Sequence, residues 1–270
     1  MNYRPTLSSV PPVVKNLIII NVLFFIATFI LENIGIDMVA YFGMHYPGSQ
    51  KFMLHQVVTY MFMHGGIAHI FFNMFALYMF GRVLESVWGP KRFLLYYFVT
   101  GIGAIAIHTF VNYLEISSIH NTITAFQNTP SPDILEKFVD KNLANASVQV
   151  RDFIMTWYND PANPVYASEG LNLMQRILEL KINTPTVGAS GAVFGILLAF
   201  GMLFPNTQLM LLFPPIPIRA KYFVIGYGLI ELYLGFSHSG SNIAHFAHLG
   251  GMLFGFFMIK YWSKNSSRFY

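Results

Sequence analysis

Ser190 and His248 are the residues whose types best fit a nucleophile and its base. A serine hydroxyl becomes a nucleophile when a base removes its proton, and a neutral imidazole can do so near neutral pH. Ser190 directly precedes the GxxxG stretch that begins at Gly191, and His248 stands three residues before a second one at Gly251. Because this glycine spacing lets two membrane helices approach backbone to backbone, we predict a hydrogen bond between Ser190 and His248.

His69 and Asn73 supply the polar groups that a serine nucleophile needs next. Attack on a carbonyl carbon leaves a negative oxygen, which hydrogen-bond donors must stabilise. At a spacing of four residues the two side chains share one helix face. The backbone N–H of Ser190 lies at a glycine-rich helix start, where helices leave amides unpaired. We predict that His69, Asn73 and the Ser190 amide form an oxyanion site.

A third, orienting carboxylate is not expected. No aspartate lies in an apolar segment, and neither of the two glutamates there, Glu85 and Glu231, is at the depth of the serine. Glu231 is about halfway along its segment or beyond, so we expect it to be neutral or paired away from the site. His245 is a second candidate base, but its shallower position favours a surface or lid role. His108 is expected to make a packing hydrogen bond.

The composition places these residues in a membrane. Of 270 residues, 54% are hydrophobic and 10% are charged, whereas soluble proteins have roughly a quarter charged residues. The net charge of +4 comes from basic residues scattered between apolar blocks, so no nucleic-acid partner is expected. Because the chain has no cysteine, disulfides, a thiolate nucleophile and a Cys-ligated metal are excluded.

Six segments are long and apolar enough to predict membrane helices, since about 20 apolar residues cross roughly 30 Å of hydrocarbon. They are Asn16 to Leu31, Ile67 to Val87, Phe93 to Tyr113, Thr186 to Phe204, Tyr222 to Phe236 and Ile243 to Trp262. With alternating directions, the predicted site residues all lie within about two turns of one membrane face.

The basic residues predict the orientation. Ten of the 16 Lys and Arg residues lie on the side opposite the site, Arg4 and Arg268 among them. By the positive-inside rule that side is cytoplasmic, so both termini are expected inside and the site is expected to open to the extracytoplasmic side of the plasma (inner) membrane. The first apolar block has no small-residue cleavage site behind it, so we expect no cleavable signal peptide.

Two connections on the site side differ in character. Gly35 to Gly66 is aromatic and interrupted by glycine and proline, which indicates a partly immersed connection. Residues 114–185 are polar and show helical periodicity around Ile134 to Leu143, Val148 to Tyr158 and Leu171 to Leu180. We therefore divide the chain into three membrane helices (1–113), an extracytoplasmic helical insertion (114–185) and three further membrane helices (186–270).

These motifs resemble those of the rhomboid intramembrane serine proteases. That family carries HxxxN in the second span, GxSG at the start of the fourth, and AH followed by small residues in the sixth. The matching residues here are His69 and Asn73, Gly188-Ala189-Ser190-Gly191, and Ala247-His248-Leu249-Gly250-Gly251. Phe194 matches the family's aromatic that stacks on the catalytic imidazole. Where many members have Trp-Arg in the first outside loop, this chain has His55 and Gln56.

The resemblance implies an all-α integral membrane protein, a six-transmembrane-helix rhomboid-like bundle with a helical extramembrane insertion between the third and fourth spans. It implies a serine endopeptidase that needs no cofactor or metal and that cleaves transmembrane segments of other proteins within the lipid bilayer. Ser190 and His248 would form its catalytic dyad. The residues expected to support the site are Gly188, Gly191, Phe194, Gly251 and Gly255.

Two other functions remain open from the sequence. A catalytically silent relative would bind client membrane proteins without cleaving them, although the intact site residues argue against it. A metal or haem membrane protein would use histidine ligands. Its candidates are His64, His69, His245 and His248, but this function leaves Ser190 unexplained.

Overall fold

The computed structural model describes residues 10–143, 145–210, 215–237 and 243–265, and these are almost entirely helical. Arg4 and Arg268 lie outside the described residues. The helices are α1 (Pro12–Glu32), α2 (Met38–Phe42), α3 (Gln56–Thr59), α4 (Ile67–Ala76), α5 (Arg82–Trp88), α6 (Pro90–Asn128), α7 (Pro132–Asn142), α8 (Val148–Asn159), α9 (Pro164–Asn183), α10 (Ser190–Leu203), α11 (Ala220–Phe236) and α12 (Ile243–Asn265). A two-stranded antiparallel sheet, β1 (Gln208–Met210) and β2 (Pro217–Arg219), lies between α10 and α11.

Each predicted apolar segment falls on a helix. Within the described ranges, three helices are long and apolar enough to cross a membrane: α1, α6 and the continuous helix Ile67–Trp88. That helix consists of α4 and α5 joined by a π-helical turn at Leu77–Gly81. Such a turn shifts the side chains that follow it around the helix axis. The fourth segment forms the shorter apolar helix α10, which begins only at Ser190.

Helix α6 is longer than predicted. It runs for 39 residues from Pro90 to Asn128, so the predicted third segment, Phe93 to Tyr113, is only part of it and the predicted boundary at Leu114 falls inside the helix. A fall in hydropathy changes what surrounds a helix but breaks no backbone hydrogen bond. The helix ends where the chain brings in Pro130, which cannot continue it.

The far end of α6 belongs to a second hydrophobic core. Its residues Ile119, Ile123 and Phe126 pack with the apolar faces of α7, α8 and α9. The three helices predicted in this region are confirmed. Ser131 accepts a hydrogen bond from the Ile134 N–H and so caps the start of α7.

The main core joins α1, the helix Ile67–Trp88, α6, α10 and α12. At the end away from Ser190, the carboxylate of Glu85 accepts hydrogen bonds from the Val13 and Val14 N–H groups at 3.0 and 2.8 Å. Glu85 thus caps the start of α1, where a helix has unpaired amides and favours negative charge. The Arg92 guanidinium lies 5.9 Å from the Trp262 ring at this end. We call it the capped end, and the opposite end of the bundle the serine end.

Candidate active site

Ser190 and His248 meet at the serine end. The Ser190 hydroxyl oxygen lies 2.9 Å from Nε2 of His248, within hydrogen-bond distance. The contact requires α10 and α12 to pack closely, and glycines allow it. A Cβ atom added at Gly251 would collide with the backbone of Gly191, and one at Gly255 would collide with Tyr96. The predicted close approach of the two GxxxG stretches is confirmed.

The His248 imidazole is held from one side by Phe194. The two ring centroids are 4.1 Å apart and the planes differ by 4°. Phe194 also stacks on Tyr227 of α11, at 5.3 Å and 24°. The expected stacking of Phe194 on this histidine is confirmed, and the stack limits how far the imidazole can rotate.

The turn before Ser190 depends on glycine. Gly188 has φ +128°, a backbone conformation that residues with a Cβ atom rarely adopt. A Cβ added at Gly188 would lie 2.7 Å from Nε2 of His69. The Gly188 N–H donates to the Tyr60 carbonyl at 2.9 Å. The backbones of Met44 and Thr186 also pair, at 2.9 and 2.8 Å. The connection before α4 therefore fixes the turn from which Ser190 projects.

His69 and Asn73 lie on α4 beside this turn. Nδ1 of His69 accepts from the Gly65 N–H at 3.4 Å, which leaves Nε2, next to Gly188, as the nitrogen that carries the proton. Asn73 is buried, and its side-chain N–H₂ group has no hydrogen-bond partner among the described residues. Both side chains therefore keep a donor free.

His64 lies just before α4 and packs edge-on against His69, with ring centroids 5.0 Å apart. It is 3% exposed. Burial, and to a lesser extent the neighbouring His69, lowers the pKa of His64 to about 4. The His64 ring is therefore neutral near neutral pH and adds no positive charge beside the site.

Glu231 reaches the site, so the expectation that it lies at the wrong depth is wrong. Its Oε2 atom is 2.9 Å from Nδ1 of His248 and 2.7 Å from Nδ1 of His245. Glu231 lies five residues before the end of α11, and His248 five residues after the start of α12. Because the two helices pack antiparallel, equal offsets of about 7.5 Å place both residues in one layer. Counting from the shared connection could have found this pair in the sequence.

His245 therefore contacts Glu231 and not Ser190. The ligand-type atoms of Glu231, His245 and His248 lie within 4.8 Å of one another, a grouping that could also hold a metal ion. The His248 nitrogen that faces Glu231 is Nδ1, whereas Nε2 faces Ser190. One imidazole can thus contact both groups at once.

His108 also supports the serine end. Nε2 of His108 lies 2.7 Å from the Thr186 hydroxyl, which confirms the packing hydrogen bond expected of this histidine.

Gln56, in the position where many rhomboids have arginine, is fully buried. Its Oε1 accepts from the His45 and Met53 N–H groups, and its Nε2 donates to the Tyr41 and Lys51 carbonyls, at 3.0 to 3.3 Å. The Gln56 side chain therefore links backbone groups of the connection before α4 through these hydrogen bonds.

Fold and site together define a helical membrane protein whose polar residues converge at one end of an apolar bundle. A model of the Rhomboid domain matches residues 51–118 and 165–265, more than half of the chain. The chain therefore belongs to the rhomboid family and is an integral membrane protein. The unmatched residues 119–164 fall within the predicted insertion and include α7 and α8.

A curated relative is the rhomboid protease GluP of Bacillus subtilis (strain 168). It is 26% identical over 203 residues, which cover 75% of this chain and 25% of that protein. The chain thus spans about a quarter of the length of this relative. The shared family supports a common fold, while activity and substrates need separate evidence.

Proposed function

We propose that this protein is an intramembrane serine endopeptidase that cleaves transmembrane segments of other membrane proteins. The observation that carries the proposal is the 2.9 Å contact between the Ser190 hydroxyl and Nε2 of His248. A hydroxyl within hydrogen-bond reach of an imidazole is the arrangement from which a serine nucleophile is activated. The Phe194 stack and the glycine contacts between α10 and α12 keep the pair in this geometry.

The chemistry follows from this pair. Ser190 Oγ forms a bond to the scissile carbonyl carbon while His248 Nε2 takes the hydroxyl proton. The C–N bond then breaks, and His248 gives that proton to the leaving amine. A water molecule next attacks the ester, with His248 again taking and returning a proton. The second product is a carboxylic acid, and Ser190 regains its hydroxyl.

The negative charge that develops on the carbonyl oxygen when Ser190 attacks must be stabilised by hydrogen-bond donors. Nε2 of His69 lies beside the Gly188 turn. One turn further along α4, the side-chain N–H₂ group of Asn73 has no partner among the described residues, and Ser190 is the first residue of α10. In a site shielded from bulk water such donors are worth more than in solution. We assign these three groups to the oxyanion site. Gly188 leaves room for His69, and Gly191 lets α10 approach α6 and α12.

The proposed membrane topology has six membrane helices, with a helical insertion on the side of the membrane where the site lies. The described basic residues at the capped end favour that end as cytoplasmic, so the serine end faces the extracytoplasmic water that hydrolysis requires. A substrate helix shields its own amides by hydrogen bonding, so it must unwind before Ser190 can attack. Substrates with helix-weakening residues after the scissile bond are therefore expected to be cleaved fastest, and the resemblance to the rhomboid proteases implies a small residue before that bond.

Reconstituted protein tests the proposal. Wild type in proteoliposomes is expected to cleave a membrane-spanning reporter with a small residue followed by glycine or proline near one membrane face. Ser190→Ala and His248→Ala are expected to abolish cleavage. The matched controls are Ser86→Ala and His120→Ala, since both residues are exposed helix residues away from the site. Cleavage by folded Ser190→Ala would overturn the proposal, and reporter binding without cleavage by wild type would favour the client-binding function.

A further inference from the structure

We propose that Glu231 completes a Ser190–His248–Glu231 triad, as the positioning residue that fixes the tautomer and orientation of His248. The inference rests on the proposed endopeptidase function. Oε2 of Glu231 lies 2.9 Å from Nδ1 of His248, while Nε2 of the same ring lies 2.9 Å from the Ser190 hydroxyl. The carboxylate and the hydroxyl thus occupy opposite sides of one imidazole.

The hydrogen bonds set the tautomer. A carboxylate oxygen only accepts, so Nδ1 of His248 must donate to it and the neutral ring has its lone pair on Nε2. That lone pair is what the hydroxyl proton of Ser190 needs. In serine proteases the third carboxylate acts in the same way: it orients the imidazole and stabilises the imidazolium without taking the proton.

The placement of Glu231 favours this role over an incidental contact. It is the single acidic residue in the sequences of α10, α11 and α12, and it is 6% exposed. A lone carboxylate in an apolar helix is costly, so its partners matter. Both of its partners are histidines one turn apart on α12, His245 and His248, and both bind the same oxygen. The second bond, from His245, holds the carboxylate in place for His248.

The distances fit hydrogen bonds better than a metal site. The Glu231 oxygen lies 2.7 and 2.9 Å from the two Nδ1 atoms. Two ligands on one tetrahedral zinc ion, each about 2.0–2.1 Å from the metal, would lie about 3.3 Å apart. A metal ion here would also take the Nδ1 lone pair of His248.

Glu231→Gln tests the triad most directly, because the amide has nearly the same shape. Its N–H₂ group can donate to Nδ1 and so favours the tautomer whose Nε2 carries a proton. We expect kcat for reporter cleavage to fall by roughly 10²- to 10⁴-fold with KM little changed. Glu231→Asp is expected to recover part of the loss, and His245→Ala to lower kcat by less than about tenfold because His248 keeps its partner.

Glu85→Gln is the matched control, since Glu85 is a second buried carboxylate that accepts two hydrogen bonds, at the capped end. It is expected to lower thermal stability while kcat per folded molecule stays the same. If Glu231 were only structural, Glu231→Gln would behave like this control, and a kcat within about threefold of wild type would overturn the triad.

Two further outcomes separate the alternatives. Cleavage by Ser190→Ala would defeat the endopeptidase itself, whereas cleavage lost in Ser190→Ala but retained in Glu231→Gln would leave a simple dyad. The assay is repeated after dialysis against EDTA. Unchanged activity is expected for the triad, and activity that disappears and returns with Zn²⁺ would overturn it by placing a metal at Glu231, His245 and His248.

Discussion

At the residue scale, the site consists of polar side chains at one end of an apolar bundle, where hydrogen bonds join Ser190, His248 and Glu231 and where His69 lies beside the Gly188 turn. Ser190, His248, His69 and Asn73 could be selected from the sequence, because each belongs to a short motif and stands near the start of an apolar segment. Glu231 could not be selected in this way. It belongs to no such motif, and its closeness to His248 becomes visible only when both residues are counted from the connection between α11 and α12.

Asn73→Ala is expected to lower kcat about 10²-fold, the effect of removing one oxyanion donor, or less if His69 compensates. KM should change little, because the donor acts on charge that develops during the reaction. The measurement is steady-state cleavage of the membrane reporter.

Asn21→Ala is the matched control for this change. Asn21 is also buried, but its side-chain N–H₂ group donates to the Leu17 carbonyl within α1. The kcat of the Asn21→Ala variant is expected to stay near the wild-type value. Equal losses in the two variants would show that Asn73 acts through stability and not through the oxyanion.

At the element scale, the close packing of α10 against α12 and the buried side-chain amide of Gln56 hold the site in place. The sequence predicted the contact of α10 with α12 from two GxxxG stretches, since glycine spacing directly reports how near two backbones can come. It did not predict the full length of α6, because a helix can leave an apolar environment without ending.

Gly251→Ala is expected to separate α10 from α12, because the new Cβ meets the Gly191 carbonyl. Overpacking of this kind costs about 1–3 kcal/mol or more, and here it also lengthens the Ser190–His248 contact. We expect a lower thermal unfolding temperature in detergent together with a loss of cleavage.

Gly226→Ala in α11 is the control, since nothing lies within 4 Å of a Cβ added there. It should keep both stability and activity. A Gly251→Ala variant as active as this control would show that the two helices need not approach so closely.

Gln56→Ala is expected to destabilise the connection before α4. The change leaves the buried His45 N–H without a partner, at about 1–3 kcal/mol, and removes hydrogen bonds to three partly buried backbone groups. The unfolding temperature should fall clearly, and protease cleavage in the connection should increase. His55→Ala removes one exposed hydrogen bond and should change stability by no more than about 0.5 kcal/mol. A Gln56 variant as stable as the His55 variant would be inconsistent with anchoring by this amide.

At the scale of the whole molecule, two hydrophobic cores share the helix α6. The main core carries the site, and the second core lies among the end of α6, α7, α8 and α9. The sequence predicted both regions, because one is apolar throughout and the other shows helical periodicity with many charges. The exact division could not be predicted, since it falls inside a continuous helix.

Trp157→Ala is expected to loosen the second core and leave the main core intact. The side chain is 2% exposed and packs edge-on against Phe126. Removing it should cost about 3–5 kcal/mol within that core. Faster proteolysis within residues 129–164, with Ser190 reactivity unchanged, is the expected result. Val148→Ala, at a residue 70% exposed, is the control. If Trp157→Ala also abolished Ser190 reactivity, the two cores would have to fold as one unit.

The most direct test of the central claim, that His248 activates Ser190, is labelling of purified protein with a fluorescent fluorophosphonate, followed by mass spectrometry of the labelled peptide. Wild type is expected to carry the label on Ser190, and Ser190→Ala and His248→Ala are expected to carry none. Folded wild type that remains unlabelled, or a label that persists in Ser190→Ala, would contradict the claim.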